Sequence, residues 1–248
     1  MSNGKNNNSA LPLIIISLVL VVAVGGAWWL YNRNASPTRK PGNTSVANTA
    51  KTPAVIKEMG ATPPWMIGSA NASVTVEEFA DFQCPTCAVK HPLMKELTSI
   101  YGSRIKFIFR NFPLSIAAHD KAYPASVAAE AAGLQGKFWD MQNLLFMNQK
   151  DWSSNPDYRQ IWEGYATQIG LDLEKFRNDQ AGLAAKSRVD ADLQRGRALN
   201  VGSTPSVYVN GMLVPFEAMT TEGMRTIIDG ELQKAQSQQS QPASNTAK

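Results

Sequence analysis

Leu11 to Leu30 is nearly all apolar, without a charged residue. It follows a short polar tail, residues 1–10, and closes on Trp28, Trp29 and Tyr31. Residues 11–31 therefore match the roughly 20 residues of a spanning helix, with aromatic rings where the headgroups would lie. A cleaved signal peptide is the alternative, with Leu11 to Val24 as its apolar core and Gly25-Gly26-Ala27 as the cleavage site. The aromatic belt follows without a break, which favours the transmembrane anchor. Residues 32–60 are rich in Asn, Ser, Thr, Pro and Ala, show no apolar period and predict a flexible linker. Residues 237–248, mostly Gln, Ser and Ala, predict a disordered tail.

Between these flanks, residues 61–236 carry the periodicities of a folded domain. Val74 to Ala80 predicts a strand. After Asp81-Phe82-Gln83, a helical spacing begins that places Val89, Leu93, Leu97, Ile100 and Tyr101 on one face and stops at Gly102. Pro92 falls inside that helix and predicts a kink. Ile105 to Phe109 predicts a second strand, giving strand, helix, strand, the ingredients of a parallel βαβ unit. Helical patterns then fill a long stretch: Ala117 to Ala132, Lys137 to Met147, a helix starting at Asn155-Pro156, Asp172 to Asn178, and Gly182 to Leu199. Ser206 to Val209 predicts a third strand, Asn210-Gly211 a hairpin turn and Met212 to Val214 the return. Thr221 to Leu232 closes the domain as a helix.

Composition narrows the class. The net charge of +4 comes from lysines and arginines scattered over the chain, which does not suit nucleic-acid binding. The chain has two cysteines, three positions apart, where a secreted disulfide scaffold would carry several. A Cys-x-x-Cys opening a helix after a strand is a redox arrangement. Unpaired N–H groups and the helix dipole favour a thiolate at the first cysteine, while the second lies one turn in. Cys84 is thus the candidate nucleophile and Cys87 the resolving thiol, with Pro85 suited to the first helical turn. Zinc is a competing reading of the pair, but only His91 and His119 remain to complete four ligands, and their spacing fits no finger or ribbon. A structural disulfide competes as well, though so short a loop would stabilise little. No metal or other cofactor is expected. Glu78, six residues before Cys84, is a candidate proton carrier for Cys87. On an alternating strand, one of Glu77 and Glu78 is expected to face out, and the residues alone do not say which turns inward. Pro205 precedes the third strand. X-Pro bonds in folded proteins are cis only about one time in twenty, so the residues alone predict trans.

Four stretches, in order, resemble the DsbA-like branch of the thioredoxin fold: Val74 to Cys87, Phe109-Arg-Asn-Phe-Pro-Leu114, Gly136-Lys-Phe-Trp-Asp-Met141, and Val201 to Gly211. The resemblance implies an α/β thioredoxin-like fold with a helical domain, about residues 115–200, inserted between the second and third sheet strands. It implies a cis Pro205 packed against the cysteine pair, and a Thr204 backbone that pairs with an extended substrate. Pro85 and Thr86 would then touch substrate. Glu78 matches the family's buried acid, and Pro92 the kink in its active-site helix. Thr86 stands where the strongly oxidising member has histidine, which implies a weaker oxidant.

The expected activity is extracytoplasmic dithiol–disulfide exchange on exported proteins with cysteines, with a second redox protein recycling the pair. The alternative is a membrane-tethered binding or chaperone module with little redox turnover. The expected location is membrane-anchored, with the domain in a bacterial periplasm or at the cell surface. The flanking charges pull the other way: Lys5 precedes the apolar run, and Arg33, Arg39 and Lys40 follow it. The chemistry downstream, suited to an oxidising space, decides the expectation.

Overall fold

A computed structural model describes residues 60–240. The anchor expected at 11–31 and nearly all of the linker at 32–60 lie outside the described residues. Among the described residues, no helix is long and apolar enough to cross a membrane.

The chain forms a five-stranded mixed sheet with helices around it. The strands are β1 (Trp65–Gly68), β2 (Val74–Ala80), β3 (Ile105–Asn111), β4 (Ser206–Val209) and β5 (Met212–Leu213), in the order β1-β3-β2-β4-β5. β2 and β3 are parallel, with Val74 opposite Ile105, and the crossover between them is helix α1 (Pro85–Tyr101). β1 runs antiparallel to β3, and β4 antiparallel to β2. Six helices fill the interval between β3 and β4: α2 (Ala122–Gly133), α3 (Phe138–Met147), α4 (Gln149–Trp152), α5 (Tyr158–Gln168), α6 (Leu173–Ala181) and α7 (Leu183–Ala198). Helix α8 (Thr221–Ser240) ends the described chain. Asn210 and Gly211, at φ 48° and 80°, make the β4–β5 turn that their sequence predicts.

Alternation along β2 sends Val74, Val76, Glu78 and Ala80 to one face, and Thr75, Glu77 and Phe79 to the other. Val76 and Ala80 join the main core with Cys87, Met94 and Leu97 of α1. The insertion closes on that core through aromatic rings, among them Phe82 against Phe146 at 4.7 Å and Phe109 against Phe138 at 5.7 Å between centroids. On the opposite face, Phe79 packs with Phe112, Val201 and Tyr208. The close approach of α7 there requires Gly196, where a Cβ would fall 2.3 Å from the Phe112 ring.

Several expectations are corrected. The insertion lies between the third and fourth strands, because β1 precedes the strands that periodicity marks. β1 is four residues long, follows Pro63-Pro64 and shows no alternation, so nothing in its pattern announces it. Val89 is 74% exposed: the buried face of α1 runs through Cys87, His91, Met94, Leu97 and Tyr101, and Val89 lies about 200° from Cys87 around a helix. Neither Glu77 nor Glu78 faces water, because both sheet faces are covered. The stretch 117–132 is not one helix: a single 3-10 turn, Ala117–His119, precedes α2. Helix α8 runs four residues into the stretch expected to be disordered. Its Gln, Ala, Lys and Glu residues are good helix formers, and Ser237 and Ser240 bond back to the carbonyls of Gln233 and Gln236.

Candidate active site

The turn Asp81-Phe82-Gln83 carries β2 into α1. Cys84 stands just before the helix at φ −70°, ψ 119°, and Pro85 opens it. The missing N–H of Pro85 leaves no helical carbonyl unpaired, since the first helical N–H groups have no intrahelical partner. Helical geometry then turns Cys87 inward, to 1% exposure against 6% for Cys84, so Cys84 is the sulfur nearer the surface. The Cys84 thiol donates to the carbonyl of Thr204 at 3.3 Å. The Thr204–Pro205 bond is cis, as the family resemblance implies and the bare X-Pro preference does not, and Pro205 is buried. Cys84, Cys87 and Thr204 thus meet from residues 120 positions apart. Pro85 is exposed and Thr86 half-buried beside them.

The two thiols differ sharply in acidity. Cys84 is drawn down to about 5, chiefly because the Cys87 thiol donates to its sulfur. Burial opposes this, and the Thr204 side chain and the backbone N–H groups of Cys87 and Thr86 add to it. The Thr204 hydroxyl is buried without a hydrogen-bond partner, so its proton is free to turn toward the sulfur once Cys84 ionises. Cys87 is pushed well above the usual thiol range, by burial first and then by Cys84, with the charge of Glu78 acting the same way. Near neutral pH the pair therefore holds one thiolate and one protonated thiol.

Glu78 lies on the α1 face of β2 and is buried; burial alone pushes its carboxyl up to about 8. An acid whose folded pKa exceeds its unfolded value contributes stability that is complete below the unfolded pKa and lost as pH rises through the folded one. For Glu78 that window runs from about 4.5 to about 8. Glu78→Gln is therefore expected to raise the stability of the reduced protein at pH 7 by up to about 3 kcal/mol. The gain should shrink toward zero near pH 4, as read from denaturant melts at both pH values. An equal gain at both would show that folding does not raise the Glu78 pKa.

Each histidine pairs with another side chain. His91 Nε2 lies 3.1 Å from Asn143 Oδ1, and His119 Nδ1 lies 2.6 Å from Asp81 Oδ2. In and around the turn stand buried residues to which the sequence reading gave no role: Asp81, Gln83 and Gln149. The local clue is composition. A turn with Asp81 and Gln83 side by side, flanked by core residues, must have its polar groups answered from elsewhere. Linear pattern does not say by which residues.

A family model described as thioredoxin matches residues 61–230. Among curated proteins, the sodium/proton antiporter NhaA 1 of Mycolicibacterium gilvum is 36% identical over 146 residues, which are 58% of this chain and 23% of the antiporter. The NhaA 3 antiporter of Salinispora tropica is 37% identical over 58% of this chain and 21% of its own length. The chain thus spans less than a quarter of the curated relatives it matches. Among solved structures, BdbD of Bacillus subtilis aligns with a TM-score of 0.60 at 22% identity, over 71% of this chain and 99% of BdbD. The alpha-DsbA1 protein of Wolbachia pipientis aligns at 0.62 and 15% identity, over 73% and 96%. These likenesses establish the fold as thioredoxin-like. The family match spans both the cysteine turn and the cis-proline loop, and on that evidence the chain belongs to the thioredoxin family.

Proposed function

We propose that this chain is a DsbA-like thiol–disulfide oxidoreductase, acting on exported proteins outside the cytoplasm from an N-terminal membrane anchor. The observation that carries the reading is the asymmetry of the pair: an acidic Cys84 near the surface and a buried, poorly acidic Cys87 behind it. In the reductive direction, the Cys84 thiolate attacks one sulfur of a substrate disulfide. The substrate S–S bond breaks, a Cys84–substrate bond forms, and the other substrate sulfur leaves as a thiolate. Cys87 then loses its proton, to Glu78 where that carboxyl is ionised, and attacks Cys84 Sγ. The Cys84–Cys87 disulfide forms and the second substrate sulfur leaves, taking up a proton. The oxidising direction is the same sequence reversed. The Thr204 carbonyl accepts from the Cys84 thiol in the reduced form. Ionisation frees it to receive a backbone N–H from an extended substrate, with Pro205, Pro85 and Thr86 flanking the same position.

Thr86 brings no imidazolium to the thiolate, so the disulfide should oxidise less strongly than that of a histidine-containing relative. A second redox protein recycles the pair. The antiporter names belong to proteins more than four times as long as the matched stretch. The test is capture. With Cys87→Ala the second step is lost, so mixed disulfides through Cys84 should accumulate on exported proteins and dissolve on reduction. A folded Cys87→Ala protein with no adducts would sink the exchange reading in favour of a binding or chaperone module.

A further inference from the structure

The four residues ahead of and including the nucleophile, Asp81 to Cys84, are gripped from the helical insertion. Gln149 is buried at the start of α4, and its side-chain nitrogen donates to two carbonyls at once: Phe82 at 2.7 Å and Cys84 at 2.9 Å. An amide NH₂ has two protons, and here each meets a different carbonyl of the turn. Gln83 completes the grip from the other side. Its Oε1 accepts from the Lys121 N–H at 2.7 Å, while its Nε2 donates to Asp120 Oδ1 at 3.1 Å and to the Ser153 carbonyl at 3.0 Å. Asp81 accepts the Gln83 N–H within the turn at Oδ1 and the Leu114 N–H from beyond it at Oδ2.

The Cys84 carbonyl also accepts the Ala88 N–H, the first bond of α1. Fixing that carbonyl fixes the peptide plane between Cys84 and Pro85. That plane sets the rotation of Cys84 relative to the Thr86 and Cys87 N–H groups that face its sulfur. A neutral side chain from the insertion thus acts on the sulfur through the peptide, without touching it.

We propose that Gln149 is a positioning residue for Cys84, so that the helical insertion as well as the sheet sets the aim of the nucleophile. The proposal rests on the reading of Cys84 as the attacking thiol.

The test is Gln149→Met in the full-length reduced protein, which keeps the side chain's length and removes both bonds. It leaves the ionisable groups around the turn, Cys87, Glu78, Asp81, His119 and Asp120, in place. Iodoacetamide alkylation and the ultraviolet absorbance of the thiolate are followed against pH. The Cys84 midpoint is expected to rise from about 5 by about one pH unit, and alkylation at pH 5 to slow about fivefold. The two proteins should converge at pH values where both thiols are ionised. An unchanged midpoint and pH 5 rate, even with a lower melting temperature, would show a structural role only and overturn the proposal. Gln83→Met, measured the same way, should move the midpoint in the same direction. Should neither variant fold, wild-type NMR decides. Both Gln149 amide protons should exchange far more slowly than those of exposed Gln160, and fast exchange of either one overturns the grip. Alkylation needs no disulfide substrate, so a failure to trap mixed disulfides would remove the exchange reading and leave this result standing.

Discussion

Cys84→Ser is expected to abolish disulfide exchange, with loss of at least about three orders of magnitude in turnover and little change in melting temperature. Serine forms no disulfide, so the first step has no substitute at that position. Cys87 cannot stand in, being 1% exposed and held protonated near neutral pH by its burial. The small effect on stability follows from size: one oxygen replaces one sulfur beside the Thr204 carbonyl, and the hydroxyl still donates there. Turnover of a fluorescent disulfide peptide and a thermal melt check both halves. Residual turnover above about one per cent would mean that Cys87 reaches substrate directly, and the assigned roles would have to be exchanged.

Arg110→Ala carries the largest expected cost in stability. Arg110 Nε donates to Glu77 Oε1 at 2.8 Å, and its Nη1 to Asp192 Oδ1 at 2.9 Å and to the Ala61 carbonyl at 3.0 Å. All three charged side chains are nearly closed to water, at 8% or less. Arg195 holds both Glu77 oxygens from the other side. Burial pushes the Glu77 carboxyl up, but the two guanidiniums outweigh it and hold it below its usual range. Asp192 is pushed up, burial being stronger than Arg110 and the backbone donors together. Removing Arg110 leaves Asp192 with no guanidinium bond and Glu77 with one cation where it had two. Breaking a buried pair in this way costs about 3–5 kcal/mol. In a domain of this size that is a melting temperature lower by roughly 10 °C. A denaturant melt giving less than about 1 kcal/mol would show that water reaches the network in the folded state.

Arg110 and Glu77 also mark where the sequence stops being readable. β2, β3, β4 and the Asn210-Gly211 turn stand out because alternation and turn chemistry are local. The cysteine turn stands out because its two residues lie within one helical turn. The pairing of Glu77 with Arg195 spans 118 positions, and that of Gln149 with Cys84 spans 65. A lone Glu on a strand reads as exposed unless one knows that the second sheet face is covered by α7. Val89 fails for a related reason: an apolar residue at helical spacing says nothing of which face Cys87 turns inward. The cis bond at Pro205 was legible only through family resemblance, since the dipeptide itself favours trans.

The charged network has a mechanical side. Both peptide groups of Ala61 are tied to it, the N–H to Asp192 and the carbonyl to Arg110. The Pro63 carbonyl is tied to Arg188. A pull on the chain ahead of Gly60 therefore loads α7 and β3 first, through charged bonds that are buried at Ala61 and exposed at Pro63. The helix that carries Cys84 and Cys87 packs on the other face of the sheet, out of that line of force. A tug at the leading end of the domain should stretch this charged clamp well before it shifts the Cys84 sulfur.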